Sequence, residues 1–492
     1  MPASRTGTAF QAMSKQHAFN NMLKKLTICL LAVTFLAGCA KEKYVAKPIN
    51  PQQTSAKILA KDPLSTDFKA YLIKQGYKET EIPFASWGIN ELTASALFHH
   101  TKLDIAKAQL GLANAQLETA GHKQNTTLNA SLARSNQANG DIRPWSYGLS
   151  VEIPIETAGK RAIRIEEAQH LAEVARIDVA DAAWQLRNQI AQDLLRYHEN
   201  MARQQLLQLE VNKHSEIVNM LQKRVDIGTL SNTELSAAKL IQQKTQFSFT
   251  SEQLKKEEII ASLAVDAGLS LEKFKQIPLE KVEIEAALTK QTNILKTTDS
   301  QNLQQNALLN RLDIRRSLEK YAAAEAKIKL EVAKQTPDIS ITPGFIFDFG
   351  DKIWTLGFSS LLNLLNTDQL NTSQTLIAEA TQLREIEGAQ FEALQANIIG
   401  DLSVANARYG AAQENLAAAK QQQSTQQAYM QKLNKQLAAG AIDRLEFAQV
   451  ALQSQLADTQ LLATQIEVLS AANTIQNLLQ MPLDNPPNTA KN

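Results

Sequence analysis

Hydrophobic positions along this chain alternate between a helical and a strand period, and each switch marks an element. From Lys160 to Ile227 there is neither glycine nor proline. Such a run predicts one unbroken helix of about 100 Å at 1.5 Å per residue. Within it Leu207, Val211, His214, Val218, Leu221 and Val225 follow each other at spacings of four and three, the seam of a coiled coil. Gly228 ends the run, and Thr229–Ala267 is a second stretch free of glycine and proline. The turn between them reads Gly228-Thr229-Leu230-Ser231-Asn232-Thr233-Glu234. Its glycine suits a left-handed position, and Ser231 with Glu234 predicts a capping box. The same device returns 212 residues later as Gly440-Ala441-Ile442-Asp443-Arg444-Leu445-Glu446, again between two long helical runs.

Upstream, a helix is predicted from about Asn90, where Leu103, Ala106, Leu110, Ala113, Leu117 and Ala120 recur at helical spacing until Gly121. The period then falls to two. Leu128, Ala130 and Leu132 alternate with polar residues. Beyond a loop holding Asn139-Gly140-Asp141, Trp145, Tyr147, Leu149, Val151, Ile153 and Ile155 alternate with Ser146, Gly148, Ser150, Glu152 and Pro154. This predicts strands with one apolar and one polar face. The aromatic pair at one end points to a lipid-facing strand of a membrane barrel; a soluble amphipathic hairpin packed on a core is the alternative.

The pattern is duplicated. Leu103-Asp104-Ile105 and Trp145-Ser-Tyr-Gly148-Leu-Ser150 recur at an offset of 209 as Leu312-Asp313-Ile314 and Trp354-Thr-Leu-Gly357-Phe-Ser359. A second helix (Arg311 to about Lys334), two strands (338–347 and 353–362) and a second hairpin follow. The helix carrying Gly388, Gly400 and Gly410 is expected to be the less stiff. The fold class is therefore mainly α with transmembrane β, a duplicated helix–strand–strand–helix–helix unit. The segments are 1–38 (upstream extension and signal), 39–86 (tether), 87–267 (first repeat), 268–305 (joint), 306–481 (second repeat) and 482–492 (disordered tail). The Pro-punctuated tether has room for one short helix near Asp67–Gly76.

Lys24 and Lys25, the apolar stretch Leu26–Phe35 and Leu36-Ala37-Gly38-Cys39 form a bacterial lipoprotein signal, which makes Cys39 the lipidated N-terminus. Initiation at Met22 rather than Met1 or Met13 would open the chain directly on that signal. Ala40, where sorting rules would place an aspartate for retention, favours the outer membrane. Cleavage consumes Cys29 and lipidation Cys39, leaving no thiol for a disulfide or a Cys-based metal site. It also removes four basic residues and no acidic one from a chain of 51 and 50, giving a net charge of −3 with no basic stripe for nucleic acid. No phosphate loop, nucleophile elbow or His-Glu-x-x-His is present, so neither catalysis nor a cofactor is expected. The adjacent His99 and His100 point in different directions on a helix and are expected to be solvated rather than metal-bound.

Four strands cannot close a membrane barrel, and an open edge in lipid leaves backbone groups unpaired. Strands in the membrane thus require at least two copies. The lipobox, the two repeats and the glycine-plus-cap turns resemble the TolC family of outer-membrane efflux channels over about Trp87–Met481. Arg311-Leu312-Asp313-Ile314 is similar to its Arg-Pro-Asp-Leu motif without the proline. Gly159-Lys160-Arg161 is similar to a motif of the heavy-metal (cobalt–zinc–cadmium) branch, although Asn125-Thr126 stands where Asn-Pro is common. The resemblance implies a homotrimer with a twelve-stranded barrel and a periplasmic helical tunnel. It implies a passive conduit working with a periplasmic adaptor (membrane fusion protein) and an inner-membrane pump. It also implies that both turns dock the adaptor and gate the tunnel, through Asp226, Gly228, Thr229, Ser231 and Glu234 in one and Gly440, Ala441, Asp443 and Glu446 in the other. A periplasmic adaptor, or a structural coiled-coil lipoprotein without a pore, are the competing readings. The first normally has a single hairpin, and the second has no use for alternating strands.

Overall fold

In the computed structural model, residues 44–136, 143–296, 305, 308–309, 311–360 and 367–480 are described. The lipobox, Asn139-Gly140-Asp141 and the tail 482–492 lie outside them. The chain divides into two units, residues 1–57 and 58–492. Helix α1 (Pro51–Leu59) buries none of its residues.

The second unit begins with α2 (Thr66–Lys74), the expected short helix, started by Ser65, whose Oγ accepts from the Phe68 amide. Phe68 and Leu72 are fully buried. They join Trp87, Leu92, Leu186, Ile190 and Leu263 in one core, so this part of the presumed tether packs onto the body. Helices α3 (Ile89–His99) and α4 (Thr101–Ala120) replace the single helix expected from Asn90. His100 is extended and caps α4, its Nδ1 accepting from the Lys102 amide at 3.1 Å. The expectation of a solvated histidine pair is also overturned. Both are buried, with the His99 ring 5.2 Å from Phe68 and 4.7 Å from Phe98. Part of the His99 cover comes from Phe68 of α2, a contact no local period reveals. Burial, then the charge of Lys61, lowers His99 to about 4.

Two strands follow, β1 (Thr127–Arg134) and β2 (Trp145–Ile155). Helix α5 (Lys160–Asp226) is the long run, unbroken over 67 residues, and α6 (Asn232–Asp266) returns against it. Of its predicted seam, Val211, His214, Val218 and Leu221 are buried. The joint holds α7 (Leu271–Phe274) and α8 (Ile284–Lys296), the latter sending Leu288 into a core with Leu416 and Val468. The second half supplies α9 (Leu312–Ala333), β3 (Ile339–Asp348), β4 (Asp351–Ser360), α10 (Thr367–Ala438) and α11 (Arg444–Leu479). Helix α10 runs 72 residues through all three of its glycines.

The strands form one antiparallel sheet in the order β1-β2-β3-β4, so the halves meet where β2 pairs with β3. The helices are knit differently. Helix α5 packs on α4, α6, α9 and α11, whereas α6 packs mainly on α5, and α10 on α9 and α11. Helices α6 and α10 therefore bound the helical layer as β1 and β4 bound the sheet. Leu240, Phe247 and Leu254, seven residues apart on α6, are exposed.

At the C-terminus of α6 two carboxyls meet. Asp193 is fully buried on α5, taking hydrogen bonds from Ser262 Oγ (2.5 Å) and Arg196 (3.2 Å). Asp266 beside it leaves Oδ2 without a partner. Burial first, then Asp193, pushes Asp266 up to about 7. A carboxyl with a raised folded pKa contributes stability that is full below the unfolded value, near 3.8, and lost as pH rises through about 7. Asp266→Asn should therefore stabilise the protein by roughly 2 kcal/mol at pH 8, allowing for screening, and by little near pH 4. Thermal unfolding of both proteins at the two pH values measures this; parallel shifts at both would refute it.

Candidate functional site

The hairpin turns and the junction between sheet and helices combine special backbone geometry with charged side chains. At the first turn Gly228 has φ +74° and ends α5 in a Schellman motif. The Thr229 amide donates to Arg224 O and the Gly228 amide to Val225 O, each at 2.9 Å. Ser231 Oγ accepts from the Glu234 amide at 3.4 Å, the Ser half of the expected capping box. At the second turn Gly440 has φ +70°, with the Ala441 amide on Gln436 O (2.9 Å) and the Gly440 amide on Leu437 O (3.1 Å). Asp443 Oδ1 accepts from the amides of Leu445 and Glu446, both at 2.8 Å.

The fold brings the two turns together. Ile217, Val218, Leu221 and Leu235 of the first hairpin share a core with Leu445 and Ala448 of the second. Across it Arg224 Nη2 donates to Asp443 Oδ2 at 2.7 Å. The Glu446 amide and then Arg224 hold the Asp443 carboxyl below its usual range. Asp226 is exposed and engaged locally, accepting from Gln222 at 2.9 Å. Arg224 was not among the sequence candidates. Its partner is 219 residues away, and one more basic residue in a last helical turn carries no signal of its own.

No heavy atom lies within 4 Å of a Cβ built on Gly228 or Gly440. Substitution there costs only the left-handed backbone, about 1–2 kcal/mol for a β-branched residue. Gly228→Val and Gly440→Val should thus leave the assembled protein intact and fray the turns, seen as faster hydrogen exchange of Arg224–Leu235 or Gln436–Phe447 alone.

At the junction the backbone turns sharply from β2 into α5 through Ala158 (φ +54°) and Gly159 (φ +68°). Lys160, the first residue of α5, is 7% exposed. Its Nζ donates to Asp338 Oδ1 at 2.7 Å and to Thr336 O at 2.6 Å, binding the first half to the turn before β3. Asp338 Oδ1 also accepts from the Thr157 amide at 2.9 Å. Burial opposes ionisation of Asp338, but Lys160 and the Thr157 amide outweigh it and hold the carboxyl below its usual range. Arg161 Nε donates to Gly121 O at 2.6 Å, and Arg164 pairs with Glu156 through two hydrogen bonds. The motif Gly159-Lys160-Arg161 is thereby spent on structure. One sequence signal pointed here: α5 opens on Lys160, Arg161 and Arg164 with no acid in its first turn, the wrong sign for a helix N-terminus unless each cation is engaged.

The sheet above this junction is two-sided. Register aligns Tyr147 with Phe347, Leu149 with Phe345, Ile153 with Ile341 and Ile155 with Ile339, then Phe345 with Trp354 and Ile341 with Phe358. All six predicted outward residues of β2 lie on this one face, with Leu128, Ala130 and Leu132 of β1. The other face carries Ser131, Gly148, Ser150, Gly344, Thr355 and Gly357, broken by the Ile346–Ile353 pair. A Cβ on Gly148 would stand 2.6 Å from Ser131 Oγ, and one on Gly344 2.7 Å from Thr355 Oγ1. At these two glycines the polar face has no room for a larger residue. Among the described residues no group of three or more His, Cys, Asp or Glu could hold a metal ion. Nor is any described helix long and apolar enough to cross a membrane.

The two-faced sheet thus stands on paired helical hairpins. Residues 92–256 match the family model of the outer membrane efflux protein. No curated protein matches the chain. Among solved structures, the fold is similar to that of the outer-membrane channel OprN (TM-score 0.65, 18% identity, covering 90% of this chain and 98% of that one). It is also similar to the outer membrane protein VceC from Vibrio cholerae (0.64, 17%, 80% and 96%). CusC, described for its transmembrane channel formation, matches as well (0.64, 16%, 90% and 100%). The fold is that of outer-membrane channels of this type.

Proposed function

We propose that the chain is the outer-membrane component of a tripartite efflux system, a passive conduit that performs no chemistry. The observation that carries this is the sheet: apolar on one face, mostly small and polar on the other, and, among the described residues, unpaired at the outer edges of β1 and β4. An edge in lipid must find a partner. Because the two edges differ, β4 of one copy pairs with β1 of the next, a head-to-tail contact that closes into a ring. Family resemblance sets the count at three copies, giving a homotrimer with a twelve-stranded barrel over a periplasmic helical tunnel. Trp145, Tyr147, Leu149, Val151, Ile153 and Ile155 face lipid, and Cys39 carries an acyl anchor in the outer membrane.

The distal turns are the docking and gating end. Thr229 and Ala441 face the adaptor, and the Arg224–Asp443 pair fastens the two hairpins of one subunit when the tunnel is closed. An exposed pair of this kind contributes about 0.2–1 kcal/mol, weak enough to be displaced by a docking partner. The inner-membrane pump supplies the driving force. The transported solutes are metal ions or drugs; the Gly159-Lys160-Arg161 motif favours neither, since its lysine is committed to Asp338. A heat-sensitive trimer band on unboiled gels, with unit conductance in a planar bilayer that rises in Arg224→Ala, is the expected result. A soluble monomer that forms no pore would return the protein to the structural coiled-coil reading.

A further inference from the structure

We propose that the loop-side rim of the sheet binds the phosphates of an anionic lipid headgroup in the outer leaflet. This rests on the barrel reading above. Charge at this rim is segregated by face. Arg134 is opposite Trp145, and Lys352 is opposite Phe347, so both cations lie on the apolar, outward face. Arg143 adds a third charge: its guanidinium carbon lies 5.7 Å from the centre of the Phe347 ring, which is on that face. The guanidinium of Arg134 stacks likewise at 5.4 Å over Trp145. The carboxylates at this end, Asp348 and Asp351, face each other on the polar side. No described strand residue on the outward face is acidic.

A cation on a lipid-facing surface carries a desolvation cost that a neutral rim would avoid. Three of them, two held over aromatic rings and none opposite a carboxylate among the described strand residues of that face, form a surface that complements phosphate. Guanidinium groups suit it because they donate in parallel to two oxygens. The rim spans three strand spacings, about 14 Å, which is wider than one phosphate and suits a headgroup bearing two. Stacking on Trp145 and Phe347 limits the rotamers of both arginines before the lipid arrives, so less entropy is lost on binding. The aromatic rings then sit at the boundary between acyl chains and headgroups, where such residues are favoured.

The test uses the assembled full-length protein in detergent. Native mass spectrometry compares retention of bisphosphorylated lipid A, its dephosphorylated form and a zwitterionic phospholipid. The phosphorylated lipid is expected to be retained selectively. Each of Arg134→Gln, Arg143→Gln and Lys352→Gln should weaken retention about tenfold, the cost of one charge-assisted contact. Arg134→Lys with Arg143→Lys should keep most of it, and Lys334→Gln at the opposite end of the sheet should change nothing. Equal retention of phosphorylated and dephosphorylated lipid, or a triple Gln variant that binds like wild type, overturns the proposal while leaving the channel reading intact. A wild-type protein that forms no heat-sensitive oligomer overturns both.

Discussion

Lys160→Met should lose most of its assembled, heat-sensitive oligomer and unfold at lower temperature, with about 3 kcal/mol of stability gone. Lys160 is nearly fully buried, and its ammonium has Asp338 and Thr336 O as partners. Removing one member of a buried ion pair typically costs 3–5 kcal/mol, because the remaining charge loses its compensation. The figure here belongs at the low end, since the Asp338 side chain is 31% exposed and keeps the Thr157 amide. Pairing the change with Asp338→Asn should restore part of the loss, since it removes the uncompensated charge while an amide oxygen still accepts from the Thr157 amide. Lys160→Arg is not a conservative alternative, because a planar fork does not fit the two acceptors that a compact ammonium reaches. The check is the melting temperature together with the fraction of oligomer on unboiled gels. A Lys160→Met protein as stable as wild type would show that the junction is held by the sheet alone.

A lysine at Leu149 should block insertion, whereas a lysine at Ser150 should be accepted. Leu149 lies in the middle of β2 between Ala130 and Phe345, on the apolar face. A charge facing lipid near midplane costs about 2–4 kcal/mol. Ser150 pairs with Asn129 and Gly344 on the face where small residues crowd, and a long side chain there can extend into water. Its limit is steric, since a Cβ on Gly344 would already stand 3.0 Å from the Ser150 Cβ. Protease protection in outer-membrane fractions, compared for the two variants, reads the difference. Equal insertion would refute the assignment of faces. Acid offers a separate handle on the helical body: with the His99 pKa depressed to about 4, the protein loses stability as pH falls from 6.5 toward that value.

The sequence by itself determined the elements and their duplication, because both are written in local periods. A run without glycine or proline specifies α5, strict alternation specifies β2, and the glycine-plus-cap turns place both hairpin ends within a residue or two. It also determined which face of each strand is apolar, since a strand's period of two leaves no other choice. Only the tertiary structure decided what those elements hold on to. The burial of His99 draws on α2, whose Phe68 has no periodic signature strong enough to announce a core. The tie from Lys160 to Asp338 spans 178 residues, and that from Arg224 to Asp443 spans 219. Neither lysine nor arginine declares its partner, because an ion pair is a property of two positions brought together by folding. The open edges at β1 and β4 likewise follow from strand order, which pairing across the two halves sets and no single repeat contains.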